Sequence, residues 1–168
     1  MPLDLKKMTV SAHGLASTEK NVAHILSCNE FTEPRGLSLN ATQALSLLET
    51  RSSALKSNGR FEFGDPIIDK IIYTFSDSTY LNSENYVSTL HDLIDIFYYF
   101  KNECKDLYSD DDLIDYLYTT YEGYCQGSIT FLAHKGLERL LHPEIEEDDA
   151  QDDFFGTPLG ANNDTAYL

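Results

Sequence analysis

The chain is expected to fold as an all-α protein: a compact bundle of five to six helices followed by a disordered acidic C-terminal tail. Three observations predict this. Apolar residues recur at three- and four-residue intervals through several segments and alternate strictly in one short stretch only. Helix-capping residues stand in front of those segments. The 168 residues are 42% hydrophobic and include 11 Tyr and 9 Phe, enough for one domain's core and too apolar for wholesale disorder. The expected division is an N-terminal arm over 1–17, a helical domain over 18–142 and an acidic tail over 143–168.

The arm lacks apolar periodicity. From Ser17 or Thr18 a short helix brings Val22, Ile25 and Leu26 to one face and ends near Asn29, before a turn at Pro34-Arg35-Gly36. Asn40 is a favoured N-cap, with Gln43 placed to complete a capping box. Leu45, Leu48 and Leu55 are expected on the inner face of that helix, and Asn58-Gly59 supplies a left-handed stop. Arg60-Phe61-Glu62-Phe63 alternates polar and apolar, which suggests a short extended segment. Gly64-Asp65-Pro66 then reads as a helix start, Asp as cap and Pro at the first helical position. Ile67, Ile68, Ile71, Ile72 and Phe75 follow on one face, and Asp77-Ser78 ends the helix.

Asn82 or Ser83 caps the most informative segment, Ser83 to Lys105. Tyr86, Leu90, Leu93, Phe97, Phe100 and Cys104 recur at spacings of 4, 3, 4, 3 and 4. With Ile96, Val87 and Tyr98 the apolar arc covers roughly 200°, against ~100° for an ordinary surface helix, so this helix should be central. Ser109 with Asp112 forms the next capping box, and Asp110, Asp111 and Asp112 face the positive end of the helix dipole. Leu113, Ile114, Leu117 and Tyr121 point inward, and Glu122-Gly123 stops the helix. Gly127-Ser128 opens a last helix carrying Ile129, Phe131, Leu132, Leu137, Leu140 and Leu141, with a break expected at Gly136 and an end at Pro143.

The formal charge is −16. Half of it lies between Glu144 and Leu168, which hold eight acidic residues and no Lys or Arg. A field of this sign repels phosphate backbones and anionic lipid, so neither nucleic acid nor a membrane is an expected ligand, whereas a basic protein partner is compatible. Cys28, Cys104 and Cys125 are odd in number and widely spaced, as suits free thiols in a reducing compartment. Without a signal peptide or a run of roughly 20 apolar residues, the expected location is cytoplasmic.

The blocks GLSLNATQALSLLETRSSALKSNGRFEFG, FSDSTYLNSENYVSTLHDLIDIFYYFKNE and SDDDLIDYLYTTYEGYCQGS together resemble a family of small bacterial proteins, mostly from Firmicutes, described only as a domain of unknown function. The resemblance covers roughly Cys28 to Leu141 and implies a self-standing helical domain. It carries over no catalytic or ligand residue. Relatives often have cysteine where Ser76 stands, which weakens any role for a thiol there.

Few residue constellations suggest chemistry. Glu84, His91, Asp92, Asp95, Tyr99, Asn102 and Glu103 fall on the arc opposite the apolar seam of the central helix. His91 and Asp95, four apart, could reach one ion, but no histidine has the glutamate three residues earlier that carboxylate-bridged metal bundles use. A solvated face with a helix-stabilising His–Asp pair explains them better. His24 and Cys28 are also four apart, yet neither a second ligand cluster nor an orienting third group accompanies them, so a buried thiol beside a surface histidine is expected. Tyr98, Tyr116, Tyr118, Tyr121 and Tyr124 belong to the core or its rim, their hydroxyls finding water. Tyr99 lies among carboxylates, as a surface for a basic partner requires, although edge packing against the next helix or the tail accounts for it better. The glycines at 59–64 and 123–127 lack phosphate-loop spacing.

No catalytic, cofactor or metal residue is therefore expected. The leading expectation is a non-catalytic protein-interaction module using an acidic, Tyr-bearing surface (Glu84, His91, Asp92, Asp95, Tyr99, Glu103) or the tail. The alternatives are a small helical metal-binding protein or enzyme built on His91 and Asp95, and an oligomerising structural subunit whose central helix completes its burial against a second copy.

Overall fold

The computed structural model describes residues 17–64 and 66–143. Most of the expected arm, the cap at Asp65 and the acidic tail beyond Pro143 lie outside them. Among the described residues every regular element is helical. In chain order these are α1 (residues 17–27), α2 (Asn29–Thr32) with a 3₁₀ turn at Glu33–Arg35, α3 (Ala41–Ser57), α4 (Ile68–Phe75), α5 (Tyr86–Glu103), α6 (Asp110–Glu122) and α7 (Ile129–Leu141). With α2 taken as the continuation of α1 past Cys28, the bundle has six helices, as expected. The helical path thus runs past the predicted end at Asn29. The Asn29 side chain folds back instead, accepting from the Leu39 N–H at 2.9 Å and donating to the Leu39 carbonyl at 2.7 Å. That contact pins the connection to α3.

Helix α5 is the centre, packing against α3, α4, α6 and α7. All six residues of its seam are buried, as are Ile94, Ile96 and Tyr98. Burying a single ring such as Phe97 is worth roughly 1.5–3 kcal/mol, so this helix dominates the core. It begins at Tyr86, later than a cap at Asn82 or Ser83 implies, because Asn82 caps a preceding turn: its Oδ1 accepts from the N–H groups of Glu84 and Asn85. It ends at Glu103, since Lys105 and Asp106 both turn left-handed, with φ of 53° and 57°. Buried Lys101 then ties α5 to the start of α6 through the Tyr108 carbonyl and Asp110.

The capping box of α3 is complete, with Asn40 accepting from the Gln43 N–H and Gln43 from the Asn40 N–H. Its inner face differs from expectation. Ala44, Leu47, Leu48, Ala54 and Leu55 are buried, whereas Leu45 is exposed, because the line facing α5 runs through 44, 47 and 48. At α6, Ser109 accepts from the Asp112 N–H, but the Asp112 carboxylate takes the Ser109 hydroxyl rather than its backbone N–H, so the box is half formed. Helix α4 starts at Ile68, two residues after Pro66.

Helix α7 is continuous through Gly136, which is buried. A β-carbon there would lie 3.1 Å from the Phe100 ring, so the glycine serves close approach of α7 to α5 rather than a break. Its inner stripe is narrow. Leu132, Gly136 and Leu140 are buried, while Phe131 and Leu141 are exposed. None of the described helices is long and apolar enough to cross a membrane.

Candidate interaction surface

Helical periodicity lines up Asp92, Asp95, Tyr99, Asn102 and Glu103 along the solvent side of α5, and all five are exposed. Tyr99 is 46% accessible, its ring tilted against Phe100 with centroids 6.1 Å apart. Glu84 does not join them, since it sits in the turn before the helix. His91 turns toward α3, where Nδ1 hydrogen-bonds Thr50 Oγ1 at 2.7 Å and Nε2 lies 3.4 Å from Ser46 Oγ. The six residues expected to form one surface therefore separate into a continuous strip, an outlying glutamate and an interhelical histidine.

Asp92 and Asp95 stand one turn apart on the wall of a groove of about 300 Å³ that Ile96, Ile129, Thr130 and Ala133 also line, between α5 and α7. Partial burial, and then the neighbouring Asp92 charge, raise the Asp95 pKa, with His91 offsetting part of the rise. Neither carboxylate pairs with a cation among the described residues.

The residues weighed for metal or thiol chemistry have other partners here. Both His91 nitrogens have hydroxyl partners, and no three His, Cys, Asp or Glu side chains gather among the described residues. The His24 ring faces Asp69 (Nε2–Oδ2 3.7 Å) rather than Cys28, whose Sγ donates to the His24 carbonyl. Burial pushes the Cys28 thiol up and that of Cys125 to about 11, which disfavours the thiolates a nucleophile or ligand needs. All three cysteines are free and buried.

Three of the tyrosine hydroxyls expected to meet water at the rim have protein partners. Tyr118 donates to Asp77 Oδ1 at 2.8 Å and Tyr116 to the Gly136 carbonyl at 2.7 Å. Tyr98 is wholly buried; its hydroxyl donates to Glu62 Oε2 at 2.8 Å and accepts from Arg51 Nε at 3.2 Å. Arg51 Nη2 reaches the same Glu62 oxygen at 3.3 Å.

That network exposes a feature that sequence reasoning missed. Over 60–63 the alternation is inverted relative to a core segment. Arg60 and Glu62 turn inward, Arg60 gripping Asp106 through Nη1 and Nη2 of its guanidinium, while Phe61 and Phe63 are 90% and 98% exposed. Beside Phe61 lies a groove of about 370 Å³ bounded by Ser52, Leu55, Lys56, Gly59, Arg60 and Glu62. The signal was present as Arg-Phe-Glu-Phe, but nothing local says which alternate set is buried.

No curated protein and no solved structure matches the chain. Residues 24–148, most of the sequence and all of the bundle from the middle of α1 onward, match the family of unknown function DUF6323, and the chain belongs to that family.

Proposed function

We propose that the protein is a non-catalytic interaction module of the cytoplasm that engages a basic protein partner through the outer face of α5. The supporting observation is the state of Asp92 and Asp95, two carboxylates one turn apart over an apolar groove with no cation from the described residues. Like charges held together on a partly buried apolar surface oppose one another. A lysine or arginine from a partner relieves that opposition while its methylene stem lies on Ile96 and Ile129. Tyr99, one turn further, supplies an aromatic anchor. A formal charge of −16 steers basic partners inward and turns nucleic acid and anionic membranes away. Three free buried thiols fit a reducing compartment.

The test is affinity capture from a lysate of the native cell with the wild-type chain and with Asp92→Asn/Asp95→Asn. A basic protein retained by the wild type, released by added salt and lost with the double variant is the expected result. Equal retention by both chains removes this face from the reading.

A further inference from the structure

We propose that the groove beside Phe61 is a docking seat for this chain's own segment Asp152-Asp153-Phe154-Phe155. Three observations meet at that end of the bundle. The first is a loop built to display aromatic rings. Arg60 is fastened to Asp106, and Glu62 to Arg51 and Tyr98, so Phe61 and Phe63 are held out in water from behind. Rings presented on a braced backbone lose little freedom on binding.

The second is charge. Arg51, Arg60, Lys70, Lys101 and Lys135 each pair with a carboxylate. Lys56, on the groove wall, pairs with none among the described residues, and neither does Lys105, next to the Asp106 that anchors the loop. Spare cations beside exposed rings suit an acidic aromatic segment. The chain carries two aspartates followed by two phenylalanines at 152–155, within a stretch of eight acids and no Lys or Arg.

The third is reach. Helix α7 runs parallel to α5, since Ile129 and Ala133 lie beside Asp92 and Asp95, while Gly136 lies against Phe100. It therefore ends toward the same end of the bundle as α5, the end that carries Asp106 and the loop that Asp106 holds. The nine residues from Pro143 to Asp152 span up to about 30 Å when extended, more than the length of α5. A tethered segment meets the groove at millimolar effective concentration. A second copy approaches against the mutual repulsion of two chains of charge −16. In the docked state the Asp152 and Asp153 carboxylates face Lys56, and the Phe154 and Phe155 rings cover Phe61 and the groove.

Carbodiimide cross-linking of the full chain tests this directly. The expected product is an amide between Lys56 and Asp152 or Asp153 within one chain, with the Lys70–Asp111 pair, 2.7 Å apart, as the internal reference for a folded protein. Phe154→Ala/Phe155→Ala, or Phe61→Ala/Phe63→Ala, should lower the Lys56 yield about fivefold, the scale of aromatic packing, and leave the reference link unchanged. Three outcomes overturn the proposal. They are no Lys56 link where the reference forms, a yield indifferent to either pair of rings, and links joining ¹⁵N-labelled to unlabelled chains in a mixture.

Discussion

Helix α5 and the loop 60–64 solve opposite problems with the same residue types. In α5 the aromatic rings of Tyr86, Phe97, Tyr98 and Phe100 go inside and the carboxylates of Asp92, Asp95 and Glu103 go out. In the loop Arg60 and Glu62 go inside and the two phenylalanines go out. Hydrophobic burial decides the first arrangement. In the second, charged hydrogen bonds to α3, to α5 and to the turn after α5 fix which way the stretch faces, and the rings are left outside. A helix face is placed by the many atoms it covers, whereas a short loop is placed by the few strong partners it finds.

Four measurements put this contrast to the test. The largest effect belongs to Phe97→Ala at the centre of α5, which should lower unfolding free energy by about 3–5 kcal/mol in denaturant titration. A loss under about 1 kcal/mol would deny α5 its central role. Glu62→Ala comes next. It leaves Arg51 and the Tyr98 hydroxyl without their shared acceptor and should cost about 1–3 kcal/mol, with Arg51→Met in the same chain recovering part of the loss.

Smaller again is a pH effect. The Arg60 bond holds the Asp106 carboxyl below the usual range, so its folded pKa lies under its unfolded one. The unfolded chain therefore binds the proton more readily, and this part of the stability is present above the ordinary carboxylate pKa and lost as pH falls through the folded value. The pair is partly exposed and worth at most about 1 kcal/mol, so Asp106→Asn should lower the melting temperature slightly at pH 7 and converge with wild type in acid. The smallest effect is expected from Phe61→Ala/Phe63→Ala, within about 0.5 kcal/mol of wild type by thermal melting. A large destabilisation there would place the rings in the core and erase the contrast.

The elements legible in advance were those written by neighbours in sequence. The Asn40–Gln43 box, the Ser109 cap and the six-residue seam of α5 each depend on residues three or four apart, and each is present. The misplaced features depended on partners far along the chain. Leu45 and Leu47 are both apolar, and the position of α5 decides which turns inward. Gly136 is a weak point in an isolated helix and a contact point once Phe100 lies against it. The candidate surface was legible as a strip at Asp92, Asp95 and Tyr99, but His91 left it for Ser46 and Thr50, more than 40 residues earlier.

Local hydrogen bonding and the period of the α-helix were thus sufficient to determine a helical bundle over the described residues with α5 at its heart, because these forces act within one or two turns. Which way the Arg60–Phe63 stretch faces, what His91 holds and where α7 touches α5 were decided only when distant segments met. Those outcomes turn on single pairings across the fold, and no periodicity encodes them.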